Sequence, residues 1–219
     1  MKNYIQIFLK SIILISFLFL NSCDQKNEGE KKAISENLEN DQKILTLDSI
    51  KRVSEGEERA KITIIAYESL TCSHCADFHK NVYPNLKKDF IDKGLVKIEF
   101  RHFPLDIAAF NASKVSQCKN DGKSEIMNIL YSDQKKWVKG KTPEEATKYL
   151  KKFLTDKGIS INFEECLADK VVEDYVLNDR IEGVKKFKVN ATPTIIINGK
   201  KFDKALNYKN LKKYLEKLI

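Results

Sequence analysis

The sequence predicts an α/β fold carrying an inserted helical subdomain, and three observations carry that prediction. A short run rich in β-branched residues, Lys61-Ile-Thr-Ile-Ile-Ala-Tyr67, is followed by an apolar helical repeat and then by a period-two segment from Val96 to Phe103. A long stretch from about 105 to 188 then reads as helix almost throughout. Strand signals return only near the C-terminus, at Thr194-Ile-Ile-Ile197, before one last helix. At 219 residues, 42% hydrophobic and 32% charged, the chain suits one substantial globular domain. It resembles neither a disordered chain nor a multi-pass membrane protein.

Between the first two strands, Phe78, Val82, Leu86 and Phe90 recur every four residues, which places one apolar helical face over about 73–92. Gly94 supplies a stop, and Pro84 within the pattern predicts a kink. Strand, helix, strand in this order implies parallel strands joined by a right-handed crossover. Inside the helical stretch, Thr142-Pro143-Glu144-Glu145 is a helix start, with the Thr hydroxyl as cap, Pro at the first helical position and Glu closing a capping box. A later helix presents Leu177, Ile181, Val184 and Phe187 on one stripe. Asn198-Gly199 suits a type I′ hairpin between Thr194–Ile197 and Lys200–Phe202. The final helix runs from about Tyr208 to Leu218, with Leu211, Tyr214, Leu215 and Leu218 toward the core. This is a thioredoxin-like order, with the insertion as a helical subdomain beside the sheet.

The formal charge of +8 is a weak clue, because 35 of the 39 cations are Lys and only Arg52, Arg59, Arg101 and Arg180 are Arg. Base readout and bidentate phosphate contacts favour Arg, so solvated Lys-rich helix faces explain the charge and no nucleic-acid partner is expected. Five cysteines is an odd number for an exported protein that pairs its thiols. Residues 1–22 carry Lys2 and Lys10, an apolar run from Ser11 to Leu20 and no acid, the pattern of a secretory signal peptide. Leu20-Asn21-Ser22-Cys23 resembles a bacterial lipobox, although the pattern prefers a small residue where Asn21 stands. The resemblance implies cleavage before Cys23 and its lipidation; the alternative is a plain signal peptide cut near Ser22. Residues 23–43 read as a flexible tether, with ten charged residues in 24–43 and few aliphatics. The folded part is then about 44–219.

Cys72-Ser73-His74-Cys75 follows the first strong strand and opens its helix. A helix N-terminus leaves unpaired N–H groups and partial positive charge at Cys72, which favours the thiolate, the species that attacks or leaves in disulfide exchange. His74, between the sulfurs, can add a donor or a charge. Stabilising that thiolate stabilises the reduced pair and so makes the oxidised pair a stronger oxidant. Two other chemistries use the same residues. Half a zinc site completed by His74 or His79 lacks a second CxxC or a His pair at ligand spacing, and a structural disulfide across four residues would be strained. No metal or other cofactor is expected.

Farther along, Asn190-Ala191-Thr192-Pro193-Thr194 lies at the entrance of a strand, where Pro needs no ladder donor. With the CxxC at a βα junction, Thr192-Pro193 resembles the cis-proline element that faces the cysteines in thioredoxin folds. Ser69-Leu70-Thr71-Cys72-Ser73-His74-Cys75, Phe100-Arg101-His102-Phe103-Pro104-Leu105-Asp106 and Ala191-Thr192-Pro193-Thr194 together resemble the DsbA family of bacterial thiol-disulfide oxidoreductases, over about residue 60 to the end. The resemblance implies a periplasmic enzyme that introduces disulfides into exported proteins with free cysteines, and the lipobox implies that a lipid on Cys23 tethers it. It also implies reoxidation by a quinone-linked membrane partner. Cys72 would be the exposed nucleophile, Cys75 the buried resolving thiol and His74 a tuner of the first sulfur. Thr192 and Pro193 would present backbone to an extended substrate strand.

The sequence departs from the family at three places. Ser73 stands where the oxidases commonly carry Pro. Ala66, six before the first cysteine, replaces a buried acid that many relatives use as a proton acceptor; Glu68, on the same side by strand parity, is either its substitute or an ordinary exposed loop acid. Thr192 resembles the residue before cis-Pro in isomerases and reductases as much as in oxidases. The alternatives are therefore a disulfide reductase or isomerase, or a non-catalytic lipoprotein that binds peptides or metal. Cys118 and Cys166, both in the insertion, are expected to pair in an oxidising compartment, as in DsbA relatives with a second, non-catalytic bridge; a free buried pair is the alternative.

Overall fold

The computed structural model describes residues 49–219. The signal peptide, Cys23 and the tether lie outside the described residues.

Five strands form one mixed sheet: β1 (Ser54–Glu55), β2 (Ile62–Glu68), β3 (Val96–His102), β4 (Thr194–Ile197) and β5 (Lys200–Lys201), in the order β1-β3-β2-β4-β5. β2 and β3 run parallel, from Ile62 opposite Val96 to Glu68 opposite His102. On the other side of β2, β4 is antiparallel, with Tyr67 opposite Thr194. The register fixes the site, because the C-terminal end of β2 and the N-terminal entrance of β4 meet at one edge. β2 is buried on both faces, with Ile62, Ile64 and Ala66 in the main core and Tyr67 in a smaller cluster with Phe103, Val189 and Ile196. Such two-sided burial is why its sequence is a nearly unbroken apolar run. β1 was not anticipated, being only two residues long.

The expected helix over 73–92 is three pieces: α1 (Ser73–Asn81), α2 (Tyr83–Leu86) and a π-helical turn over Lys87–Ile91. Pro84 sits in the first turn of α2, where its missing N–H is tolerated, so the ladder breaks at Val82. The apolar repeat survives the break, and Phe78, Val82, Leu86 and Phe90 are all buried. Gly94 ends the segment at φ +69°, which favours glycine.

The insertion comprises α3 (Ile107–Gln117), α4 (Glu125–Ser132), α5 (Gln134–Trp137), α6 (Pro143–Asp156), α7 (Phe163–Ala168) and α8 (Lys170–Phe187). Cys118, at the end of α3, is disulfide-bonded to Cys166 on α7. Thr142 caps α6 by accepting from Glu145 N at 3.2 Å, while the Glu145 carboxylate takes the N–H of Lys141, one residue before the cap expected to receive it. On α8 the stripe Leu177, Ile181, Val184 lies exposed. Its buried face is Val172, Tyr175, Val176, Asp179 and Gly183. The reason is tertiary: a Cβ at Gly183 would come within 2.8 Å of Tyr67 Cε1, and Asp179 accepts from the Arg52 guanidinium at 2.6 Å and from His102 N at 3.0 Å. Asn198 and Gly199 turn the β4–β5 hairpin with φ +46° and +78°, as a type I′ turn requires. α9 (Tyr208–Leu215) buries Leu211 and Leu215 but ends short of Leu218, which is exposed rather than core.

Candidate active site

After Glu68 the chain leaves β2 in a short turn that delivers Cys72 as the N-cap of α1. Cys72 N donates to Ser69 O at 3.0 Å, and Cys72 O receives Cys75 N at 3.1 Å and Ala76 N at 3.2 Å. Groups from distant elements hold this turn. Thr71 Oγ1 donates to Asp106 Oδ2 at 2.7 Å, and Asp106 also caps α3 through Ala109 N. Leu105 N reaches Ser69 Oγ at 3.3 Å. The buried Gln134 of α5 donates from Nε2 to both Leu70 O at 2.9 Å and Cys72 O at 3.0 Å.

Both cysteines of the motif are free thiols, Cys72 half-buried and Cys75 buried. The Thr192–Pro193 peptide bond is cis and stands beside them, with the Cys72 thiol donating to Thr192 O at 3.3 Å. The two sulfurs are electrostatically opposite. A hydrogen bond from the Cys75 thiol is the largest influence lowering the Cys72 pKa to about 5; partial burial opposes it, and the Thr192 side chain and the N–H groups of Cys75 and His74 add to it. The Thr192 hydroxyl has no partner while Cys72 is a thiol, which leaves it free to donate to the thiolate. Burial pushes the Cys75 thiol up, assisted by its bond to Cys72 and by the charge of Glu68. One sulfur is thus a thiolate at neutral pH and the other holds its proton.

His74 is exposed, and its ring makes no hydrogen bond or ion pair among the described residues. Its main-chain N–H acts on Cys72. Glu68 is no exposed loop acid: it is 4% exposed and its Oε2 lies 2.8 Å from His79 Nε2. His79 is thereby turned into the core. Cys72, Cys75, Thr192 and Pro193 come together, while Cys118 and Cys166 are joined within the insertion. Sequence reasoning missed Gln134, because nothing in a helical repeat signals which amide reaches a distant carbonyl. A signal for Glu68 and His79 did exist: His79 follows Cys75 by four residues, so one helix face carries both.

Known proteins are similar to this chain to differing extents. A Rickettsia typhi protein described as "Putative protein-disulfide oxidoreductase" is 32% identical over 152 residues, 66% of this chain and 53% of that protein. The chain thus spans about half the length of its Rickettsia typhi and Rickettsia prowazekii relatives. Disulfide bond formation protein D of Bacillus subtilis is 26% identical over 171 residues, 74% of each chain. The crystal structure of Wolbachia pipientis alpha-DsbA1 is similar with a TM-score of 0.68 at 28% identity, over 76% of this chain and 90% of that one. A family model described as Thioredoxin matches residues 48–217. That match takes in the cysteine turn and the cis-proline loop facing it, and the chain belongs to the thioredoxin family.

Proposed function

We propose that this chain is a DsbA-like thiol:disulfide oxidoreductase that forms disulfide bonds in exported proteins. The observation that carries the reading is the division between the sulfurs: Cys72 half-exposed with its pKa near 5, Cys75 buried behind it with its proton held. The names of the Rickettsia and Bacillus relatives and the likeness to alpha-DsbA1 support it. In the oxidised pair, a substrate thiolate attacks Cys72 Sγ; the Cys72–Cys75 bond breaks, a mixed disulfide forms and Cys75 leaves as thiolate and takes up a proton. A second substrate thiolate then attacks the substrate sulfur of that mixed disulfide. The substrate disulfide forms, Cys72 leaves as a stabilised thiolate, and two electrons have passed from substrate to enzyme. The cis Thr192–Pro193 loop supplies backbone beside Cys72 for an extended substrate segment. A quinone-linked membrane protein would restore the disulfide, and Cys23 would carry the lipid anchor in the periplasm; mass spectrometry of the mature N-terminus tests the latter, an unmodified Cys23 thiol excluding it.

A second reading, reductase or isomerase, draws on Thr192 before the cis-proline and on Ser73 within the motif. The reduction potential of Cys72/Cys75 against glutathione separates the two: a value toward about −120 mV supports the oxidase, and one near about −270 mV overturns it. Cys72→Ala abolishes exchange with a reduced peptide if the protein is an enzyme, whereas a peptide-binding module would keep its affinity.

A further inference from the structure

Disulfide exchange at Cys72, the reading on which the following rests, needs room for the polypeptide that carries the partner sulfur. The cis-proline loop offers backbone beside Cys72. Separate from that loop, which contributes no residue to it, a groove of about 800 Å³ lies between α1 and the helical insertion. A volume of this order accommodates a ligand or a short peptide segment. The groove begins at Ser73, next to Cys72 in the chain, and follows α1 and α2 as far as Lys87. At about 1.5 Å per helical residue that path is about 20 Å, the length of about six residues of extended chain. The opposite wall, from α4 and α5, includes Gln134, whose side chain holds Cys72 O. One end of the groove therefore adjoins the turn that presents the reactive sulfur.

Aromatic rings form part of the walls. His79 stacks on Tyr131, ring centroids 4.1 Å apart and 22° from parallel, and Tyr83 lies 5.3 Å from His79. His79 Nδ1 is buried there without a partner, which is costly and favours an occupant with polar groups. Four lysines and two aspartates line the groove. Lys87 pairs with Glu55 and Asp92, and Lys136 with Asp133. Lys80 on α1 and Lys135 on α5 are exposed and make no ion pair among the described residues; Asp77 is the lining acid in the same condition. The unpaired surplus is positive and comes from both walls. Lys135 follows Gln134 and so stands toward Cys72, while Lys80 lies about two turns along α1, about 10 Å from Ser73.

We propose that this groove receives the extended segment beside the reacting cysteine of a partner polypeptide, and that Lys80 and Lys135 select an acidic side chain about three residues from that cysteine. The fitting partner is an acidic, cysteine-bearing peptide. Exposed ion pairs are modest in strength, so the groove grades partners by rate and excludes none.

The test uses peptides with one cysteine linked by a disulfide to 2-nitro-5-thiobenzoate, carrying Glu, Gln or Lys about three residues to either side of it. The Cys72 thiolate of the reduced full-length protein attacks the peptide sulfur. The Cys72–peptide bond forms, the peptide–thiobenzoate bond breaks, and the coloured thiolate leaves, so its absorbance reads the second-order rate. Glu on one side should react about threefold to tenfold faster than Gln, and Lys should react more slowly. The preference should shrink at about 1 M salt. It should disappear when the acid stands about eight residues away, beyond the reach of the groove. Lys80→Glu/Lys135→Glu should reverse it, whereas Lys209→Glu/Lys213→Glu, the same charge change on exposed lysines of α9 outside the groove, should retain it. Should the first variant fail to fold, the wild-type dependence on the position of the acid still decides. Equal rates for Glu and Gln peptides, as a groove filled by a second copy or by a free anion would give, overturn the proposal. So does an equal reversal in the α9 variant, or the same advantage for an acid beyond the groove. Release of thiobenzoate from none of the peptides would instead overturn the exchange reading itself.

Discussion

The Cys72 sulfur and the carbonyl oxygen of Thr192 stand 3.3 Å apart, although 120 positions separate them in the chain. With the Cys75 thiol on its other side, Cys72 has its reactivity set jointly by two distant parts of the sequence. Iodoacetamide labelling of Cys72 should therefore inflect near pH 5 and not near the ordinary thiol value of about 8.5. Cys75→Ala should move that inflection upward more than Thr192→Val does, since the Cys75 bond is the largest influence.

The same depressed pKa links redox state to stability. Its contribution to the reduced protein is fully present above the unfolded thiol pKa and is lost as pH falls through about 5. The oxidised protein has no such group. Urea melts of the two forms should show the reduced form losing stability relative to the oxidised one between about pH 8 and pH 5.

Gln134→Ala removes two hydrogen bonds, one buried and one part-buried, that tie α5 to the cysteine turn. Leu70 O loses this donor, whereas Cys72 O keeps those of Cys75 and Ala76. A cost of about 1–3 kcal/mol in chemical denaturation is expected. Gln134→Glu should recover none of it at neutral pH, because a carboxylate has no proton to donate.

Asp179→Asn should cost more, about 3–5 kcal/mol, since Asp179 is buried between Arg52 at 2.6 Å and Arg101 at 3.8 Å. Glu99 and Glu182 still pair with Arg101, so Arg52 is the cation left exposed to the loss. Denaturation of the single variant and of Arg52→Met/Asp179→Leu distinguishes a lost bond from a stranded charge.

Gly183→Ala sets two effects against each other. Alanine is better than glycine inside a helix by about 1 kcal/mol, but the added Cβ would lie 2.8 Å from Tyr67 in a closely packed cluster, and overpacking costs about 1–3 kcal/mol. The clash should win, giving a lower melting temperature, and Tyr67→Leu should reverse most of it.

The β2–α1–β3 unit was legible because β2 is a short β-branched apolar run, the helix repeats every four residues and β3 alternates, and the break before Pro84 because proline has one N–H fewer. The candidate site was legible for a different reason: Cys72, Cys75 and Pro193 are residue types whose chemistry or backbone geometry few others share. The face of α8 was not, since a buried Asp179 and Gly183 are chosen by Arg52, the His102 N–H and Tyr67, partners that no local window contains. Glu68 was placed on the correct side by strand parity, but its burial depends on His79 arriving from the next element.

The bond between Cys118 and Cys166 closes a loop across 48 positions. Cys72 and Cys75 are free while Cys118 and Cys166 are joined, so the same fold holds a reduced pair and an oxidised tie between α3 and α7. Mild reduction followed by alkylation and mass measurement should therefore label Cys72 and Cys75 and spare Cys118 and Cys166.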